Sequence, residues 1–191
     1  MTRFNIAPLV AALLITALAS ASWAQESLKI SSTAFATDGA IPPAHTCDGG
    51  DRSPPLAFSG VPSAAKSLAL VVDDPDAPAP DAKTPQKPWV HWVLYNLPVD
   101  STGLAEAIAP TDLPFQAQQG SNDWHRTGYR GPCPPDGRHR YVHKLYALDA
   151  VLTGLASPTK AELEAAMKGH VLAEAQLVGT YQRAGRGEAA R

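Results

Sequence analysis

Three short segments of the sequence hold most of the side chains whose types could do chemistry. They are residues 74–78 (DPDAP), residues 89–92 (WVHW) and residues 131–141 (GPCPPDGRHRY). In the last segment, His139 and Tyr141 fall on one face of a predicted strand. Carboxylates and imidazoles of this kind can hold an anion, bind a metal or move a proton. Each segment alone is a weak signal, because a single His on a strand is more often structural than a ligand.

The alternation of side chains along a strand predicts which residues of the second segment act together. Trp89 and His91 are expected to share one face of the strand. Val90 and Trp92 are expected to share the other face. An aromatic ring and an imidazole should therefore lie side by side.

A metal site and a nucleophilic active site are the alternatives for these residues. His91, His139 and Asp74 could in principle share an ion. His139 and His143 could not, because four residues of strand span about 13 Å. A nucleophilic hydrolase has less support, since the sequence has no GxSxG elbow and no context that activates Ser or Cys. We expect no metal, no cofactor and no catalytic residue.

The elements that position these segments are predicted to be mainly strands. Sixteen of the 18 prolines lie between Pro42 and Pro135, which argues against a helical or doubly wound α/β fold there. Apolar runs predict strands at 67–72, 90–97 and 141–148, with weaker candidates at 29–32 and 56–58. Long loops dense in Pro, Gly and charge are usually functional, and they are predicted at 77–88 and 123–138.

Only the end of the chain has a helical pattern. A capping box from Thr159 to Glu162 predicts a helix start, and Gly169 is a natural stop. A second helical stretch is predicted at 171–178. We expect one domain over residues 25–183, followed by a disordered tail at 184–191.

Residues 1–24 have the pattern of a secretory signal peptide. Arg3 supplies a positive start, residues 6–19 are almost entirely apolar, and Ser22 and Ala24 place small residues before a cleavage point. The alternative is an uncleaved anchor. Cleavage leaves 167 residues with a net charge of −3, which argues against nucleic acid or anionic lipid as partners. We expect a periplasmic or secreted protein without a stable membrane span.

Both cysteines, Cys47 and Cys133, lie in the exported part of the chain. Two thiols in an oxidising compartment are most simply interpreted as one disulfide. Two free thiols are the alternative. A two-Cys zinc site has less support, since neither Cys has a CxxC or nearby CxxH partner.

The three segments, in this order and at these distances, resemble the phosphatidylethanolamine-binding protein family, which includes bacterial Raf kinase inhibitor-like proteins. The resemblance extends through residues 48–56 (DGGDRSPPL), 95–98 (YNLP) and 128–149, and covers about residues 28–183. It implies a β-rich fold, with a large antiparallel sheet packed on a smaller sheet and a few peripheral helices.

The resemblance also implies a cavity that binds anions, including phosphate groups such as a phosphoethanolamine head group. Carried over by motif, the walls of this cavity would be Asp74, Trp89, His91, Gly131, His139 and Tyr141. Cys133 stands where other members have Pro, so a bond to Cys47 would stiffen this loop.

The chemistry of these residues agrees with an anion site that lacks Lys and Arg. Two imidazoles, the Tyr141 hydroxyl and a backbone N–H can donate to phosphate. The Asp74 carboxylate would repel a dianion, but it can accept a hydrogen bond from an imidazole. Arg140 is displaced by one position from both His139 and Tyr141, and Asp76 lies two positions after Asp74, where the apolar run of the strand has stopped. We therefore expect them to point away from the cavity and to pair as a structural brace.

Three classes of function follow from this interpretation. The favoured class is a binding protein for a small anionic or phosphorylated ligand. The second is a regulator or inhibitor of another protein, which for an exported chain would be a peptidase or a host protein rather than a cytoplasmic kinase. The third is an uncharacterised phosphoester enzyme that uses the Asp–His cluster.

Overall fold

Two antiparallel β-sheets make up the fold in the computed structural model, which describes residues 27–79 and 83–184. The strands are β1 (Lys29–Ser31), β2 (Leu56–Ser59), β3 (Ser67–Asp74), β4 (Trp89–Leu97), β5 (Gly103–Leu104), β6 (Gln118–Gln119), β7 (Arg138–Leu148) and β8 (Val171–Gln182). One α-helix, α1 (Lys160–Met167), and two short 3-10 helices at Pro43–His45 and Pro110–Asp112 complete the regular structure of these residues. The smaller sheet has the order β1-β2-β5 and the larger β6-β4-β3-β7-β8.

The alternating side chains of β3 build a core on both faces of the larger sheet. Leu68, Leu70 and Val72 belong to the cluster between the two sheets. Ala69 and Val71 belong to a second cluster, which includes the side chains of α1. Every residue of β3 is buried, and each large aliphatic side chain buried in this way contributes about 1.5–3 kcal/mol. The central strand is therefore held firmly from both sides.

The mainly β fold class and the packing of a large sheet on a smaller one are confirmed. Strands form at all five predicted positions, and four of them extend further than predicted, to Ser59, Asp74, Trp89 and Arg138. The capping box is also present, since the Thr159 side chain accepts from the Glu162 N–H and Glu162 accepts from the Thr159 N–H. The predicted signal peptide, residues 1–24, lies outside the described residues, as does the predicted tail apart from Ala184.

The predicted helix at 171–178 is wrong, because this segment forms the first part of strand β8. Ala, Glu, Gln and Leu favour a helix by only a few tenths of a kcal/mol per residue. Against that preference, β8 pairs with the whole length of β7, from Arg138 opposite Gln182 to Leu148 opposite Val171. Tertiary pairing thus overrides the local preference.

The far end of β8 is also covered on its outer side. The Asp38 N–H donates to the Val178 carbonyl, and the Thr180 N–H donates to the Gly39 carbonyl. Within the described ranges, no helix is long and apolar enough to cross a membrane.

Candidate functional site

A cavity of about 270 Å³ opens where β3 ends and where β4 and β7 begin. Because these strands are antiparallel, Asp74 at the end of β3 lies opposite Trp89, and Asp73 lies opposite Val142. Residues that are far apart in the sequence therefore meet at one end of the sheet. The described residues that line the cavity are Asp74, Ala77, Pro78, Trp89, His91, Trp124, Cys133, Pro134, Pro135, His139 and Tyr141.

Asp74 and His139 form a hydrogen-bonded pair in the wall of the cavity. The His139 Nδ1 atom lies 2.7 Å from Asp74 Oδ2, and both side chains are buried. The other carboxylate oxygen, Oδ1, accepts from the Asp76 N–H at 2.8 Å. Both oxygens of Asp74 thus have protein donors. The carboxylate fixes the ring of His139 and leaves its Nε2 as the remaining polar atom of that ring.

His91 is held in a different way. Its Nδ1 atom lies 2.6 Å from the Arg130 carbonyl oxygen, which can only accept, so Nδ1 carries the hydrogen. Burial lowers the pKa of His91, although Asp74, Asp51 and Asp73 oppose this shift. The ring is therefore neutral at neutral pH. None of the hydrogen bonds between described residues uses its Nε2 atom.

Tyr141 brings a hydroxyl to the same cavity. The residue is 1% exposed, and its hydroxyl makes no hydrogen bond of normal geometry to a described residue, although the Asp74 carboxylate and the Cys133 backbone act on it. Burial, and secondarily the negative charge of Asp74, raises the pKa of this hydroxyl far above its usual range. It therefore remains an O–H donor at any working pH. A buried hydroxyl without a partner is rare in proteins, and each case calls for an explanation.

Aromatic rings connect the polar groups into one wall. The ring of His91 meets Tyr141 edge to face at 5.2 Å and meets Trp124 at 5.0 Å. Trp124 in turn meets Trp89 at 5.4 Å. The Arg130 guanidinium lies 5.6 Å from the Trp124 ring. These contacts limit the rotation of His91 and make the wall rigid.

The prediction that Val90 and Trp92 share one face is wrong, because β4 contains an irregularity at His91. Asp73 pairs with Val90 and the preceding Val72 pairs with Trp92, so β4 has one residue more than β3 at this point. A β-bulge of this kind shifts the alternation by one residue. Val90 therefore packs in the cluster with α1, whereas Trp92 packs in the cluster that contains Tyr141.

Gly131 is not placed in the cavity wall, in contrast to the prediction. Its N–H donates to Asp51 Oδ1 at 2.6 Å and so points away from the cavity. A Cβ at this position would clash with the His45 carbonyl oxygen, which explains why glycine is needed. Asp51 also pairs with Arg130 at 2.9 Å. The loop that carries Arg130 is thus tied to the segment before β2.

Cys47 and Cys133 form a disulfide, as predicted from the two cysteines of the sequence. The Cys47 N–H also donates to the Pro132 carbonyl. Cys133 lines the cavity, so the bridge fixes one wall of the site. Because its sulfur is bonded, Cys133 is not a free nucleophile.

Asp76 and Arg140 form the ion pair that the strand alternation predicted. The Arg140 Nε and Nη2 atoms donate to both oxygens of Asp76 at 2.8 and 2.7 Å. The backbone N–H of Arg140 donates to Asp76 as well. Arg140 lowers the pKa of Asp76, and Asp76 raises that of Arg140. Neither residue lines the cavity.

The sequence did not single out Trp124, whereas Pro78, Pro134 and Pro135 belong to the segments 74–78 and 131–141 that it did single out. Trp124, Pro134 and Pro135 belong to a loop that was predicted to be functional as a whole, and Pro78 belongs to the other such loop. For Trp124, the only sequence signal is the composition of its loop. In the described ranges, no group of three or more His, Cys, Asp or Glu side chains is arranged to hold a metal ion.

Comparison with known proteins agrees with this architecture. The family model described as phosphatidylethanolamine-binding protein matches residues 31–182. A UPF0098 protein of Methanothermobacter thermautotrophicus is 50% identical over 157 residues, which cover 82% of this chain and 99% of that protein. A UPF0098 protein of Chlamydia muridarum is 45% identical, with the same coverage of both chains.

Two solved structures have similar folds. One is a putative phosphatidylethanolamine-binding protein homologue, CT736 of Chlamydia trachomatis, with a TM-score of 0.75 and 43% identity over 82% of this chain and 98% of its own. The other is YbcL of E. coli, described as a member of the mammalian PEBP family, with a TM-score of 0.74 and 31% identity over 83% of this chain and 99% of its own. The chain belongs to the phosphatidylethanolamine-binding protein family.

Proposed function

We propose that this protein is an exported binding protein that holds a small anionic or phosphorylated ligand in the cavity. The observation that carries the proposal is that His91, His139 and Tyr141 line one cavity, where the Tyr141 hydroxyl is a donor that makes no hydrogen bond of normal geometry among the described residues. A phosphate oxygen would satisfy this donor. A phosphoethanolamine-like head group is the ligand class we favour.

The size and lining of the cavity support a small ligand. Its volume of about 270 Å³ lies near the lower limit of small-molecule sites. Two Trp rings, three prolines and Ala77 supply apolar surface. Polar atoms come from His91 near the start of β4 and from His139 and Tyr141 near the start of β7. This division suits a ligand with a charged group and a short organic part.

Binding rather than catalysis is the function we propose. The Asp74–His139 pair is the observation that favours an enzyme, because such a pair can move a proton. A phosphoester enzyme of this type also needs a nucleophile or an activated water. Among the described residues of the cavity wall there is no Ser or Thr, and the only thiol position is in a disulfide.

Titration with phosphate or phosphoethanolamine tests the proposal, in the wild type and in the variants His91→Ala and His139→Ala. His170→Ala is the matched control, because His170 pairs with Asp149 on the exposed surface, away from the cavity. We expect saturable binding that is at least tenfold weaker in the two cavity variants and unchanged in the control. No saturable binding, or equal affinity in all variants, would refute the proposal. Turnover of p-nitrophenyl phosphate would favour the enzyme instead.

Export is the second part of the proposal. It rests on the sequence pattern of residues 1–24 and on the disulfide between Cys47 and Cys133, which suits an oxidising compartment. A protein partner, if the ligand-bound form regulates one, would then be of a class found outside the cytoplasm, such as a peptidase. Amino-terminal sequencing of the protein recovered from the periplasm should start at Gln25. A start at Met1 in that fraction would contradict cleavage.

A further inference from the structure

The hydrogen-bonding roles of the cavity atoms restrict which anion can bind. His91 donates its Nδ1 hydrogen to the Arg130 carbonyl at 2.6 Å. A neutral imidazole with its hydrogen on Nδ1 has a lone pair on Nε2. The atom of His91 that remains for a ligand is thus an acceptor. It can bind an O–H or N–H group but repels the oxygen of a fully deprotonated anion.

The charges around His91 also disfavour a fully deprotonated anion. Three carboxylates act on it, and each has its own partner: Asp74 is hydrogen-bonded to His139, Asp51 pairs with Arg130 and Asp73 pairs with Lys144. From β7, it faces the Tyr141 ring and the neighbouring His143. The described residues of the cavity wall include no Lys or Arg. A dianion would therefore meet the Asp74 carboxylate and the Nε2 lone pair of His91, with few donors to compensate.

His91 is kept in its neutral form by its surroundings. It is 3% exposed, and burial lowers its pKa in spite of the three carboxylates. Its ring is also fixed between Trp124 and Tyr141, at 5.0 and 5.2 Å. The ring cannot turn over to present Nδ1–H to the cavity without losing the bond to Arg130.

We propose that the cavity selects tetrahedral anions that carry a proton, and that His91 Nε2 accepts the hydrogen bond from that P–OH group. Hydrogen phosphate monoesters and dihydrogen phosphate would bind, whereas sulfate, which has the same shape but no proton, would be rejected. Tyr141 donates to another oxygen of the anion. The proton stays on the phosphate oxygen, so no bond is formed or broken. This inference rests on the proposed function, and it makes His91 the residue that determines specificity.

The chemistry of phosphate makes such selection practical. A phosphomonoester loses its second proton with a pKa of about 6, so the protonated form is abundant at mildly acidic pH and scarce well above neutrality. A site that requires this proton should bind about tenfold more weakly for each pH unit above that value. A site built around a required hydrogen bond rejects a ligand that cannot make it, because a buried polar group is left unpaired.

Competition between phosphate and sulfate at pH 6 tests the inference, measured by isothermal titration calorimetry on the wild type and on His91→Gln. The Gln amide can rotate to present either an acceptor or an N–H donor near the position of Nε2. We expect the wild type to bind phosphate at least tenfold more tightly than sulfate. In His91→Gln, this ratio should fall towards one, mainly because sulfate binding improves.

Each outcome of this experiment decides a different point. Equal affinity of the wild type for phosphate and sulfate would overturn the inference and leave the anion-binding function intact. A phosphate preference that persists in His91→Gln would overturn the assignment to His91. Binding of neither anion would overturn the proposed function and the inference with it. The wild-type comparison does not depend on whether the variant folds.

Discussion

The Nδ1 atom of His139 lies 2.7 Å from the Oδ2 atom of Asp74, although 65 positions separate these residues in the sequence. The contact arises from the antiparallel pairing of β3 with β7, which runs from Ser67 opposite Leu148 to Asp73 opposite Val142. Because both residues are positioned by the central strands of the larger sheet, their geometry is set by the most firmly packed part of the fold.

Removal of the Asp74 carboxylate should destabilise the protein strongly. In Asp74→Ala, the buried His139 Nδ1–H and the half-buried Asp76 N–H both lose their acceptor. Hydrogen bonds to charged groups contribute about 1.5–3 kcal/mol each, so we expect the free energy of unfolding to fall by roughly 3 kcal/mol in urea denaturation. The exposed Asp100→Ala is the control and should change it little. A loss in Asp74→Ala no larger than in the control would show that these bonds contribute no net stability.

Acid should destabilise the protein through His143. Burial lowers the pKa of His143 to about 4, from 6.5 in the unfolded chain. Between these values the unfolded state binds a proton that the folded state does not, so stability is complete above pH 6.5 and is lost as the pH falls towards 4. A shift of this size corresponds to a loss of roughly 3 kcal/mol.

Urea denaturation at several pH values measures this loss, with His143→Phe as the matched variant. The ring of Phe35 packs against His143 at 5.6 Å, so an apolar ring suits the position. The slope of stability against pH between 6.5 and 4 should be smaller in His143→Phe. An identical slope in both proteins would assign the acid sensitivity to other groups.

The sequence predicted the parts of the fold that depend on simple alternation. The apolar runs located β3, β4 and β7, and the odd–even rule on β7 brought His139 and Tyr141 to the cavity and sent Arg140 to the other side. Family resemblance added that these residues share one cavity. These predictions succeeded because β7 is regular up to Ala147, where a single register shift occurs.

The brace between Asp76 and Arg140 should contribute to stability and not to binding. In Arg140→Leu, the paired charge is lost, while the backbone N–H of residue 140 still donates to Asp76. Because the guanidinium is exposed, we expect a fall in melting temperature of only about 2 °C, measured by differential scanning calorimetry. Phosphate affinity should change less than twofold. A large loss of affinity with an unchanged melting temperature would assign the pair to the binding site.

The disulfide should contribute more to stability than to the shape of the cavity. It closes an interval of 86 residues, for which the chain-entropy account gives about 4 kcal/mol. Two hydrogen bonds also hold the same loops together. The Tyr129 hydroxyl donates to the His45 carbonyl at 2.9 Å, and the Gly131 N–H donates to Asp51 Oδ1.

The double variant Cys47→Ala/Cys133→Ala tests this expectation. Urea denaturation should show the loss of stability, and titration with phosphate at low denaturant should show a reduction in affinity of less than tenfold. Reduction of the wild type with dithiothreitol is the matched control and should give the same loss of stability. An affinity that disappears in the folded double variant would show that the bridge itself shapes the site.

Features that depend on non-local pairing could not be predicted from the sequence. The bulge at His91 arises because β4 has one residue more than β3 between the pairs formed by Val72 and Asp73, and this mismatch is visible only in the register. The strand at 171–178 depends on its pairing with β7. Gly131 is turned away from the cavity by Asp51, 80 positions earlier in the chain.

A crystal structure of the protein grown with phosphate at pH 6 tests the central claim most directly. We predict tetrahedral density in the cavity, within hydrogen-bonding distance of the Tyr141 hydroxyl, His91 Nε2 and His139 Nε2. An empty cavity under saturating phosphate, or phosphate bound only elsewhere on the surface, would contradict the account.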